Sequence, residues 1–99
     1  SNPMSPNGII LEQNYPNPFN PHTKIKFKLN QSGSTRLSIF NVLGQEVRIL
    51  LSDRKMNTGY YTELWNGKDN YGKYVPAGTY FYKIEQNGLV QNKKMVLLK

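Results

Sequence analysis

Lys24-Ile25-Lys26-Phe27-Lys28-Leu29 alternates without a break, with Ile25, Phe27 and Leu29 on one side of an extended chain and three lysines on the other. Successive side chains of a β-strand point to opposite faces, so this stretch predicts a half-buried strand with a lysine-lined outer face. The same alternation returns in Arg36-Leu37-Ser38-Ile39, after the turn residues Gln31-Ser32-Gly33-Ser34. Phe40 follows, and Asn41-Val42-Leu43-Gly44 reads as a short hairpin connection into a strand over residues 46–51. Residues 53–59 read as a polar link, 60–65 as a strand ended by Asn66-Gly67, 68–78 as a loop, and 80–84 as a strand. Asn87-Gly88 is the strongest hairpin signal, because both central residues of a type I′ turn need positive φ. Residues 89–98 complete that hairpin, and 9–13 supply a first strand. About seven short strands with regular turn signals and no helical pattern indicate an all-β antiparallel fold, a two-sheet sandwich or a small barrel, with the sandwich favoured.

Composition narrows what such a sandwich can do. At 99 residues the chain holds one domain, expected over 9–99, with residues 1–8 reading as a linker remnant rich in Pro, Asn and Ser. The opening Ser1-Asn2-Pro3, without an initiator Met, reads as an excised end. No cysteine is present, which excludes disulfides, thiolate metal sites and a cysteine nucleophile. A single histidine, His22, leaves no histidine pair for zinc. There is no run of about 20 apolar residues, hence no transmembrane helix. Thirteen basic against six acidic residues give a formal charge of +7 and favour acidic partners.

Three prolines in Asn14-Tyr15-Pro16-Asn17-Pro18-Phe19-Asn20-Pro21 make a stiff extended strap, with Tyr15 and Phe19 available to pin it to the body. Trp65, the only tryptophan, reads as a plug between two sheets, with a sugar-stacking platform as the alternative. The lysine stripe reads as protection against edge pairing; nucleic acid is not expected, since Phe27 lies opposite the lysines. Oxygen-bearing residues in 66–72 loosely match a calcium loop, but the acidic repeats are missing and Asx turns are expected, with no metal or cofactor. Glu12, Glu46, Asp53, Glu63, Asp69 and Glu85 are scattered singly, and no nucleophile elbow or phosphate loop occurs, so an enzyme is not expected. Met95-Val96-Leu97-Leu98 is too apolar to face one side of one sheet. The expected core includes Ile25, Phe27, Leu37, Ile39, Val47, Trp65 and Ile84.

Taken together these motifs resemble the type A C-terminal sorting domain of the type IX secretion system. The residues that carry the resemblance are Tyr15, Pro16, Asn17, Pro18, Phe19, Asn20 and Pro21, then Gly44, Trp65, Gly67, Gly72 and Gly78, and the closing Lys94-Met95-Val96-Leu97-Leu98-Lys99. A more distant similarity is to the immunoglobulin-like domain of flagellar hook-capping proteins. The resemblance implies a secretion address: an upstream cargo domain, passage through the periplasm, and an outer-membrane translocon whose shuttle and sortase components handle the domain. It implies an immunoglobulin-like form of the β-sandwich and an extracellular or outer-membrane-surface destination. Recognition is expected at Lys93, Lys94, Met95, Val96, Leu97, Leu98 and Lys99. Glu63 departs from the family pattern, standing where relatives often carry an apolar residue; an exposed edge or a bulge would accommodate it. A carbohydrate-binding or adhesive module is the alternative function, favoured by an exposed coplanar aromatic pair.

Overall fold

A computed structural model of the chain describes residues 8–98; residues 1–7, most of the expected linker, and Lys99 lie outside the described residues. Seven strands follow in order: β1 (Ile9–Leu11), β2 (Thr23–Leu29), β3 (Gly33–Phe40), β4 (Glu46–Met56), β5 (Gly59–Trp65), β6 (Gly78–Gln86) and β7 (Leu89–Leu97). They form a three-stranded sheet, β1-β2-β5, and a four-stranded sheet, β4-β3-β6-β7. Every strand pairing is antiparallel. The two sheets pack face to face as an immunoglobulin-like sandwich.

Alternation decides what lies between them. Ile25, Phe27 and Leu29 of β2 are buried and meet Leu37 and Ile39 of β3 and Tyr80, Tyr82 and Ile84 of β6 in one continuous core. Met95 and Leu97 of β7 join it, while Val96 is half-buried and Leu98 exposed, so the closing apolar run divides between two faces as its length requires. At the β6–β7 turn Asn87 and Gly88 have φ of 52° and 80°. That is the left-handed pair expected of the Asn-Gly sequence.

Several expectations are corrected. The first strand ends at Leu11, short of Gln13. The stretch read as a polar link is the continuation of β4 to Met56, pairing with Gly33, Ser34 and Thr35. Its alternation is hidden because β4 is an edge strand, its pairing with β3 carries register shifts, and Asp53 adopts a φ of 51°. Those irregularities also leave Val47 only half-buried against the core, whereas the other six expected core residues are buried.

Glu63 has a direct explanation. β5 pairs with β2 in unbroken register from Thr23↔Trp65 to Leu29↔Gly59, so there is no bulge. β5 is instead an edge strand, and Glu63 lies at the sandwich rim on the same side as Tyr61 and Trp65. Burial pushes its carboxyl pKa up, and the positive charge of Arg54 pulls it partly back.

Leu37→Ala is expected to lower unfolding free energy by about 2–5 kcal/mol, by loss of buried methyl groups and the cavity left behind. Val47→Ala, at its half-buried site, should cost about 1 kcal/mol, and urea titration measures both. For Glu63 the sign follows from the raised pKa: the contribution is favourable at acid pH and is lost as pH rises. The stability of Glu63→Gln relative to the native chain should therefore increase between about pH 4 and pH 7, read as the difference of two urea midpoint profiles.

Candidate functional site: the proline strap and the C-terminal strand

Two segments distant in sequence meet at one end of the sandwich. The strap leaves β1 and runs across its rim, with all three X-Pro bonds cis. Its first anchor is polar. The Tyr82 hydroxyl donates to the Glu12 carbonyl at 2.6 Å and accepts the Asn14 N–H at 2.8 Å. Asn14 is itself buried, and its Nδ2 donates to the Pro16 carbonyl and to Thr23 Oγ1, which in turn donates to the same carbonyl. A chain without regular pairing partners is thereby satisfied by side chains, as buried backbone requires. Burial pushes the Tyr82 phenol up to about 12, the Glu12 charge adding to the rise and the Asn14 N–H opposing it.

The second anchor is aromatic. Phe19 is 1% exposed and its ring lies 5.7 Å from that of Trp65, which meets Tyr80 edge-on at 5.5 Å. Trp65 is fully buried, its indole N–H donating to the Lys68 carbonyl, so it is the expected core plug. Tyr15 does not pin the strap: it is 77% exposed, and only its backbone is held, by reciprocal bonds with Lys24. Gly67 is demanded by close approach, since a Cβ there would lie 3.2 Å from Pro21 Cβ and 3.3 Å from the Pro21 carbonyl oxygen, at a φ of 79°. Gly44 lies in the β3–β4 turn, Gly72 in the 66–77 loop and Gly78 at the start of β6.

A third contact is one that sequence reading missed. The strap pairs with the outer edge of β7: Phe19 N–H donates to the Val96 carbonyl at 3.0 Å, Leu98 N–H to the Phe19 carbonyl at 2.8 Å, and Val96 N–H to Asn17 Oδ1 at 3.0 Å. Further along, Gln13 Nε2 donates to the Lys94 carbonyl. Gln91 Oε1 accepts from Leu11 N–H and its Nε2 donates to the Ile9 carbonyl, tying β7 to β1. The edge that a partner strand would use is therefore largely occupied from within. No local signal marks these bonds, whose partners are 77 to 82 residues apart.

The seven expected recognition residues are thus not one patch. Met95 and Leu97 are core. Lys93, opposite buried Tyr82, points to the inner side at the rim and is half-buried, whereas Lys94, opposite Phe81, is exposed on the outer face. Leu98 is exposed, and Lys99 lies outside the described residues. Beside Leu97 a shallow, mostly apolar hollow of about 240 Å³ is lined by Pro21, Gly67, Tyr74 and Val75. In the 66–72 loop the side-chain oxygens serve protein donors: Asn66 Oδ1 accepts from Lys68 N–H, Asp69 Oδ1 from Tyr71 and Lys73, and Asn70 Oδ1 from Ile49. The close ring pairs, Phe19–Trp65, Trp65–Tyr80 and Phe27–Tyr61, all involve buried rings, and none is an exposed platform for a sugar.

A strap-capped, immunoglobulin-like sandwich closed by a lysine-flanked apolar strand is a class of architecture with known relatives. Residues 13–98 match the family model of the secretion system C-terminal sorting domain, and the chain belongs to that family. Among solved structures it is similar to dimeric latent PorU from Porphyromonas gingivalis, with a TM-score of 0.72 at 18% identity over 99% of this chain. It is also similar to PorZ, an essential surface component of the type-IX secretion system of that bacterium, with a TM-score of 0.60 at 17% identity over 88% of this chain. The chain spans only 10% and 11% of those two proteins, and the likeness at such identity is one of fold. No curated protein matches it in sequence. Membership makes the chain a secretion-system C-terminal sorting domain.

Tyr82→Phe should cost about 1–3 kcal/mol, because it strands the buried Asn14 N–H and Glu12 carbonyl while removing little volume. Since the phenol pKa is raised, native stability should hold up to about pH 10 and fall between pH 10 and about 12. In Tyr82→Phe that part of the decline should flatten, which urea unfolding across the alkaline range measures.

Proposed function

We propose that this domain is the address that carries an attached cargo through the type IX outer-membrane translocon to the surface or the medium. In this reading residues 9–99 are the folding unit and 1–8 the link to the cargo. The shuttle component reads the domain and the sortase component removes it, after passage through the periplasm.

One observation carries the choice of the C-terminal strand as the recognised part: its edge is held in place by the strap, with Lys94 and Leu98 left on the surface. A receptor meeting that strand finds side chains to grip, because the Val96 N–H and carbonyl and the Leu98 N–H already have partners. Lys94 and Leu98, exposed on β7 and just beyond it, and the hollow beside Leu97 offer a charge, an aliphatic knob and a socket. Lys93 faces the other way and is expected to contribute less.

The test is surface display of a passenger fused ahead of the domain, alongside the unfolding midpoint of each variant. Lys94→Gln should lower display several-fold while changing stability by less than about 0.5 kcal/mol, as exposed substitutions do. Lys93→Gln should lower it less. Display at the native level in both variants, with folding intact, would move the address from this strand to the strap at residues 15–21.

A further inference from the structure

The outer face of the three-stranded sheet gathers what the sequence keeps apart. Lys24, Lys26 and Lys28 stand about 6.8 Å apart along β2. Register sets Leu64 opposite Lys24 and Tyr60 opposite Lys28, while Tyr15 is bridged to Lys24 on the other side. Tyr15, Tyr60 and Leu64 are 77%, 79% and 63% exposed. Within β2 no aromatic shares the lysine face, but β5 laid beside it brings Tyr60 there.

The charges on this face are uncommitted. On the four-stranded sheet Arg36 pairs with Glu46 and Asp53, and Lys83 with Glu85. None of the three β2 lysines has a carboxylate partner among the described residues. Glu12 lies beside them, its N–H donating to the Lys26 carbonyl, and among the described residues it forms no ion pair. Lys28 Nζ instead lies 5.1 Å from the centre of the Tyr60 ring. An unpaired lysine row bordered by exposed tyrosines and a leucine suits a partner that is anionic at one depth and apolar just below. Long lysines reach phosphates while their stems, the rings and Leu64 settle among acyl chains.

We propose that this face docks the domain on an anionic lipid surface, the three lysines engaging phosphate-bearing headgroups and Tyr15, Tyr60 and Leu64 entering the interface. The surface lies apart from Lys94 and Leu98, and the proposal does not depend on the sorting reading. It is tested by co-sedimentation of the chain with phosphatidylcholine vesicles, with and without added phosphatidylglycerol. Binding is expected only to the anionic vesicles, and it should weaken at high salt. Replacing Lys24, Lys26 and Lys28 together by Gln should cost roughly a hundredfold in partitioning, each lysine near such a surface being worth about fivefold. Tyr60→Ser with Leu64→Ser should also weaken it, with circular dichroism confirming that each variant is folded. The control carries Lys55, Lys73 and Lys94 changed to Gln, the same charge loss elsewhere. Equal losses in the two triple variants would mean that net charge alone drives binding and would overturn the site. Binding of an oligothymidylate that depends on the β2 lysines, without vesicle binding, would overturn the lipid assignment.

Discussion

Phe19 is the only large apolar side chain in a strap otherwise made of Asn, Pro and Tyr, and it is driven between the sheets onto Trp65. A buried aromatic of this size dominates the energetics of a domain this small. With its ring fixed there, the Phe19 backbone falls beside β7, where its N–H and carbonyl meet Val96 and Leu98. Pro21 is then brought against Gly67, and Asn14 under Tyr82 and Thr23. The polar bonds of the strap are consequences of that burial: each satisfies backbone that the Phe19 anchor has carried away from water.

The same constraint reshapes what the last strand offers. A free edge strand recruits partners through its backbone and is an aggregation hazard. Here the closing residues of β7 are paired to the strap, and the stretch before them is tied by Gln13 and Gln91. What remains outward is chemistry of side chains, which is easier to make specific than main-chain pairing. The two outer faces of the sandwich also differ in character. One pairs Arg36 and Lys83 with nearby acids, in exposed pairs worth little in stability. The other leaves a lysine row unpaired.

Legibility in the sequence followed the range of the interaction. Period-two alternation over 24–29 and 36–39 located core residues because burial of a strand face is decided locally. Asn87-Gly88 located a turn because left-handed backbone selects its residues within two positions. Residues 52–55 were opaque: all four are exposed, so no buried face enforces alternation there, and Asp53 breaks it outright. Of the two strap aromatics, composition did not tell Phe19 from Tyr15, since either ring could have served as an anchor. The phenol of Tyr15 stays in water while Phe19, with no polar atom to satisfy, goes inside. The pairing of strap with β7, and the meeting of Lys28 with Tyr60, rest on residues brought together by the fold across long separations. No local pattern records them.

The ties between β1 and β7 have a mechanical side. Ile9 and Leu11 lie beside Gln91, and Gln13 beside Lys94, so the two strands run the same way along the rim. The chain enters the sandwich at the Gln91 end and leaves β7 at the opposite pole. Tension applied through the chain at those two points pulls β1 and β7 past one another along their length. The glutamine bridges and the strap bonds are then strained together in shear, not unzipped one after another. Resistance to such a pull is set by the unfolding barrier, not by equilibrium stability. A marginally stable small domain can in this way behave as a stiff link under load.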